Sequence, residues 1–212
     1  MTFCDFAIVI RRRLSGETDR YASLYTRGHG RIAVRFGGVN RPAGKLKALS
    51  EILTWGDYRI HMKTGSEFAR CIGGKTLNVF PAIRADYRKT CLALHFCELL
   101  MCLTPTHQAS PEKYSLLLGA LSELDSRGVL PWMRLAFTLR LLELGGFGLE
   151  KTAVGVGGRL WNALHNASWR HLWDIPADSG QLEEIGHIVA RCLENCISQP
   201  LKTLSFLEEA RL

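Results

Sequence analysis

Few of the side-chain patterns in this sequence are those of a catalyst. Gly73-Gly74-Lys75-Thr76 has the ending of a phosphate-binding P-loop, whose backbone amides wrap the phosphates while the lysine reaches them. That loop needs a glycine at position 69, where Ala69 stands, and a helix after it, whereas Leu77-Asn78-Val79-Phe80 is strand-like. A hairpin turn is the simpler expectation. His165, His171 and His187 have no carboxylate or thiol partner at metal-binding spacing, and Cys192 and Cys196 share a helix face without the two further ligands that zinc requires. There is no Gly-x-Ser-x-Gly, no His-Glu-x-x-His and no paired-carboxylate motif. The expectation is a protein that is not an enzyme and needs neither cofactor nor metal.

The residues that do cluster are cations. Residues 1–80 contain 14 Lys and Arg against 6 Asp and Glu, while residues 81–212 are close to neutral, within a chain of net charge +7. A basic segment joined to a neutral one reads as a polyanion-binding head on a protein-binding body, with nucleic acid as the first polyanion to consider. Arg31, Arg35, Arg41, Lys45 and Lys47 fall on one strand and the loop after it, where they can converge on a phosphate backbone. In the triplet Arg11-Arg12-Arg13 a strand sends neighbours to opposite faces, so Arg11 and Arg13 are the pair that can meet one ligand. Tyr21 and Tyr25 are placed either to stack on bases or to fill a small core.

These residues need strands to hold them, and the first 80 residues alternate as strands do. Segments 5–13, 20–26 and 31–36 are rich in β-branched and aromatic residues; in the third, Ile32, Val34 and Phe36 take one face and Arg31, Ala33 and Arg35 the other. The turn signals are Ser15-Gly16-Glu17 and Arg27-Gly28-His29-Gly30, and a basic loop runs from Gly37 to Leu49. Two or three more strands are expected around Ile52–Met62, Glu67–Ile72 and Lys75–Phe80, separated at Thr64-Gly65-Ser66 and Gly73-Gly74. About five short strands suit a small closed barrel, an OB fold first and an SH3-like barrel second.

From Pro81 the period changes to that of helices. Leu92, Phe96, Leu99, Leu100 and Leu103 recur at helical spacing within 83–103; Ser110-Pro111 opens a helix to about Ser126, and Pro131 opens another with Leu135, Leu139 and Leu142 on its core face. A glycine-rich stretch, 145–158, precedes aromatic-rich 161–173 and helices near 178–197 and 203–210. The fold class is therefore α+β, with a barrel over 1–80 and a helical domain over 81–212. Seven scattered cysteines without a Cys-x-x-Cys pair suit a reducing compartment. No apolar run is long enough to cross a membrane and the amino terminus lacks the charge order of a secretory signal, so a cytoplasmic protein is expected.

The order of these motifs resembles the bacterial recombination mediator family RecO. The carriers are Ser15-Gly16-Glu17-Thr18-Asp19-Arg20 with Leu24-Tyr25-Thr26 and Gly30-Arg31, the basic loop, and Phe80-Pro81-Ala82-Ile83-Arg84-Ala85-Asp86-Tyr87-Arg88 leading to Glu98-Leu99-Leu100. Phe137 to Gly148 is similar to the family's central helix and glycine turn, and Leu201-Lys202-Thr203-Leu204-Ser205-Phe206-Leu207 to its C-terminal signature. The sequence departs from the family at Lys151–Gly155, where Thr and Gly replace the cysteines of a zinc knuckle, and at Ser50-Glu51-Ile52, which replaces a Gln-Pro-aromatic run. It is similar to a shortened, zinc-free member. The resemblance implies a bacterial, nucleoid-associated DNA-repair protein of the RecFOR pathway that binds single- and double-stranded DNA, anneals strands, and with RecR helps load RecA onto strands coated by single-strand-binding protein. The cations that strand faces and loop assign to that DNA contact are Arg11, Arg13, Arg31, Arg35, Arg41, Lys45 and Lys47. The resemblance also implies a receptor for that coating protein's acidic, aromatic-ended tail, with Arg84, Arg88, Arg134 and Arg140 as candidates. The competing readings are an OB-fold adaptor for RNA or single-stranded DNA, and a phosphoryl-transfer enzyme built on Gly73–Thr76.

Overall fold

The computed structural model describes residues 1–15, 18–39, 46–63, 66, 68–147, 149, 158–176 and 178–212. Five strands, β1 (Thr2–Ser15), β2 (Asp19–Thr26), β3 (Gly30–Phe36), β4 (Trp55–His61) and β5 (Ala69–Asn78), close into a barrel in the order β1-β2-β3-β5-β4. All neighbours run antiparallel except β3 and β5, which pair in parallel over two residues, Val34 with Ala69 and Arg35 with Arg70. This is the OB arrangement. The alternation read from the sequence fills it: Ala7, Val9, Leu24, Ile32, Val34, Phe36 and Ile60 are all fully buried.

A single 3-10 turn, Ala48–Ser50, plugs the barrel with Leu49, whose carbonyl accepts from the buried Tyr58 hydroxyl at 2.9 Å. That plug explains a correction to the sequence expectation. Gly73 and Gly74 are not a turn between two strands; both lie inside β5, and Lys75 to Asn78 continue the same strand. Gly74 has φ +155°, and a Cβ there would stand 2.4 Å from the Asp57 carbonyl oxygen and 3.2 Å from Leu49 Cδ1. Glycine is required by the close approach of chain and plug.

Contacts divide the chain into two compact units, residues 1–81 with 104–114, and residues 82–103 with 115–212. In the first, 104–108 runs beside β3: Thr106 bridges Arg31, and the His107 amide donates to the Arg31 carbonyl at 3.0 Å. Gly30 (φ +68°) lets it come so near, since a Cβ would fall 2.0 Å from the Gln108 oxygen.

The helices are α1 (Pro81–Ala85), α2 (Tyr87–Leu103), α3 (Pro111–Ser126), α4 (Met133–Leu144), α5 (Gly158–Asn166), α6 (Ser179–Cys196) and α7 (Leu204–Glu209). The helix expected over 83–103 is broken at Asp86, whose carboxylate accepts the Lys89 amide at 3.0 Å and so caps α2. Ser110 caps α3 through the Lys113 amide, as its position before Pro111 suggests. In the second unit Phe96 and Phe137 stack at 4.2 Å between α2 and α4, among buried Leu92, Leu99, Leu100, Leu139 and Leu142. Among the described residues no helix is long and apolar enough to cross a membrane.

Candidate nucleic-acid interface

The barrel's outer face is built by strand register. A bulge at Ile10 shifts β1 so that Arg11 stands opposite Ser23, Arg12 opposite the buried Ala22, and Arg13 opposite Tyr21. Arg11 and Arg13 therefore face outward together and Arg12 the other way. Tyr21 pairs in turn with Arg35 on β3, and Arg35 with Arg70 on β5. Directly opposed residues share a face, so Arg13, Tyr21, Arg35 and Arg70 form one outward row about 15 Å long, three strand spacings. Phe68 lies two residues before Arg70 and meets the Tyr21 ring edge-on at 4.7 Å and 63°.

The row is polarised by one acid. Asp19 Oδ2 accepts from Arg35 Nε at 2.8 Å, and Oδ1 accepts from the Gly38 amide at 2.9 Å. The amide first and the guanidinium second hold the Asp19 carboxyl below its usual range, and the ion pair holds the Arg35 guanidinium above its own. Arg35 nevertheless remains half-exposed, at 52% of its side-chain surface.

At the barrel end the inward-turned arginines meet Glu51. The buried Arg20 donates to Ser50 Oγ and Glu51 Oε1, both at 2.7 Å, and Arg12 pairs with the other Glu51 oxygen. Glu51, which the sequence has just after the basic loop, thus holds two guanidiniums in place, and Ser50 a share of one of them.

Arg31 is half-buried at the start of β3 under the 104–108 bridge, and Lys47 is exposed just before the 3-10 turn. Arg41 and Lys45 lie outside the described residues, as does Lys151–Gly155. The two tyrosines part company. Tyr21 is half-exposed, whereas Tyr25 is fully buried, and that burial, followed by the nearby Glu112 charge, pushes its hydroxyl up to about 12. Tyr25 is closed to any base. Phe68 and Arg70 are not among the site candidates the sequence offers, although they sit at i and i+2 of an expected strand, and Asp19 enters there only as part of a motif. Among the described residues no group of three or more His, Cys, Asp or Glu is arranged to hold a metal ion.

In the second unit an apolar groove of about 490 Å³ lies between α4 and α6, lined by Leu135, Leu182, Val189, Leu193 and Ile197, with Arg134, Glu183 and Glu194 as its charged members. Arg134 is exposed and its Nη1 donates to the Leu212 carbonyl at 3.3 Å. His95 also lines the groove, and its Nδ1 lies 2.7 Å from Thr203 Oγ1. The Thr203 hydroxyl gives its one proton to Glu98 at 2.6 Å, so His95 Nδ1 is the donor. Burial, then the neighbouring Arg134, draws His95 down to about 4 and keeps it neutral. Burial works to raise Glu98, but the donors from Thr203 and Lys202 outweigh it and leave the carboxyl below its ordinary range.

Two of the other candidate arginines, Arg88 and Arg140, meet carbonyls near helix ends. Arg88 donates to the carbonyls of Ala210 at 3.1 Å and Arg211 at 3.3 Å. Arg140 donates to those of Leu164 and Ala167, both at 2.7 Å, with its guanidinium 4.5 Å from the Trp169 ring centre; burial brings it down to about 10. Arg84 is exposed in the last turn of α1.

Two family models match this sequence, Recombination protein O N terminal over residues 1–80 and Recombination protein O C terminal over residues 84–159. The chain belongs to the RecO family. It is similar to the DNA repair protein RecO of Dehalococcoides mccartyi, 29% identical over 144 residues, which are 68% of this chain and 56% of that protein. The RecO of Desulforudis audaxviator is 34% identical over 145 residues (68% and 57%), and that of Myxococcus xanthus 31% over 147 (67% and 58%). The aligned part of the chain spans a little over half the length of these RecO relatives. The RecO N-terminal match covers all five barrel strands, and α6 and α7 lie beyond the C-terminal match.

Proposed function

We propose that this RecO-family chain is a recombination mediator in DNA repair: it binds single- and double-stranded DNA, anneals complementary strands, and with RecR helps load RecA onto strands coated by single-strand-binding protein. The observation that carries this is the outward row of Arg13, Arg35 and Arg70 on an OB barrel, in a chain whose family is RecO. An annealing protein must neutralise two phosphate backbones, and a diffuse basic face suits that better than a deep pocket. Arg11, Arg31 and Lys47, with Arg41 and Lys45 of the basic loop in the sequence, are the further cations assigned to DNA contact in this reading. If about five phosphates of one strand are neutralised, the slope of log affinity against log salt is about −3 to −4.

The groove between α4 and α6 supports the partner part of the proposal. An acidic tail ending in an aromatic residue needs an apolar slot with a guanidinium beside it, and Arg134 stands at this one. Arg84, Arg88 and Arg140 are the other cations available to the helical body. Arg134→Ala is expected to abolish tail-peptide binding without unfolding the protein.

The test is the annealing rate of complementary oligonucleotides coated with the cognate single-strand-binding protein. Strong acceleration supports both DNA handling and recognition of the coating protein. Bare-strand binding without acceleration would reduce the chain to a basic OB adaptor.

A further inference from the structure

We propose that Tyr21 and Phe68 form a base-stacking platform that makes this barrel face select unpaired nucleotides over duplex. The proposal rests on the DNA-binding reading above and adds what that reading leaves open, the form of the strand. A ring recruited only for packing goes into the barrel, as Phe36 and Tyr58 do at zero exposure. Phe68 stays outside with 38% of its surface exposed, and Tyr21 meets it edge to face. The edge-on contact fixes the two rings while leaving ring face open to a ligand.

The guanidiniums around the pair define that ligand further. Arg13 and Arg35 flank Tyr21 across β1 and β3, and Arg70 stands on β5 two residues after Phe68, which immediately precedes that strand. Aromatic faces bracketed by cations at strand spacing match a chain of alternating bases and phosphates. In a duplex the base faces are covered by their neighbours, so only the phosphates reach the arginines and the rings gain nothing. Stacking takes the face of a base and the arginines take its phosphate, which leaves the Watson–Crick edge free to find a complement. That is the condition an annealing surface has to meet.

The test uses the full chain with three probes of equal length: an oligodeoxythymidine strand, the same strand with abasic sites, and a blunt duplex, each titrated by fluorescence anisotropy over a range of salt. Phe68→Ala is expected to weaken binding of the oligodeoxythymidine about tenfold, to leave the abasic strand and the duplex unchanged, and to keep the salt slope, because stacking releases no counterions. Phe68→Trp should retain the preference, and Tyr21→Ala should behave like Phe68→Ala. Equal losses on all three probes, or no loss on any, would overturn the platform while leaving DNA binding intact. Failure of the unaltered protein to bind any probe would instead overturn the DNA-binding reading and the platform with it. Thermal unfolding of each variant separates a lost contact from a lost fold, and Tyr21→Phe, which keeps the ring, should bind as the unaltered chain does.

Discussion

The barrel and the helical unit use the same residue type for opposite purposes. On the barrel, Arg13, Arg35 and Arg70 lie outward and exposed, and among the described residues only Arg35 of the three is ion-paired, with Asp19. In the helical unit, Arg88 and Arg140 direct their donors to carbonyls near helix ends, where unpaired oxygens and the helix dipole both favour a cation. One set is charge left facing solvent, where the proposed DNA contact would need it, and the other is charge that finishes backbone hydrogen bonding. Counting arginines therefore locates a polyanion surface only after the second use has been subtracted.

Removing Arg140 should break the helical side of this comparison most severely. Arg140→Ala loses two charge-assisted hydrogen bonds and the contact with Trp169, and about 4 kcal/mol of stability is expected to go with them, read as a lower denaturant midpoint with DNA affinity preserved. Next comes acid. Because the His95 pKa is about 4 when folded and near 6.5 when unfolded, the unfolded chain takes up the proton first as pH falls. Its contribution is complete above about pH 6.5 and is lost progressively down to about pH 4, amounting to about 3 kcal/mol. The lowered Glu98 carboxyl adds a loss in the same direction at more acid pH. His95→Gln should flatten the profile between those pH values, and a profile as steep as before would assign the acid sensitivity elsewhere.

On the barrel side the effects fall on binding. Replacing Arg13, Arg35 and Arg70 together by Ala should weaken DNA binding by about 2 kcal/mol and bring the salt slope about 2 closer to zero, with little change in the unfolding midpoint. Smallest of all, Asp19→Asn frees Arg35 and removes an opposing charge, so binding of either strand form should tighten about threefold at low salt. Weaker binding in that variant would show that Asp19 matters more as the anchor of the Gly38 amide than as a rival to phosphate.

Local patterns in the sequence were enough for what depends on nearest neighbours. Alternation put Ile32, Val34 and Phe36 inside and Arg35 outside, and the opposite facing of Arg12 against Arg11 and Arg13 follows from strand geometry, the bulge at Ile10 falling just before them. What depends on distant segments was hidden. Two glycines in a row signal a turn, and only the approach of Leu49 and the Asp57 carbonyl reveals that Gly74 is needed inside a strand. Tyr25 and Tyr21 look alike until residues 104–114 are seen to belong to the barrel unit. Arg140 looks like any surface arginine of α4 until the last carbonyls of α5 arrive beside it. Phe68 and Arg70 became visible only through register, which carried them next to Tyr21 and Arg35.

The clamp on Glu98 has a consequence for the order in which the molecule is made. Its carboxylate is satisfied by Lys202 and Thr203, and His95 by Thr203, so partners wait more than a hundred residues downstream. At ordinary translation speeds that separation is about 5 to 20 seconds of synthesis. The strands that close the barrel have all left the ribosome well before then. During that interval α2 carries a carboxylate and an imidazole without the groups that complete them, and a pause ahead of Thr203 would prolong the period in which a chaperone or a protease meets an unfinished helical unit.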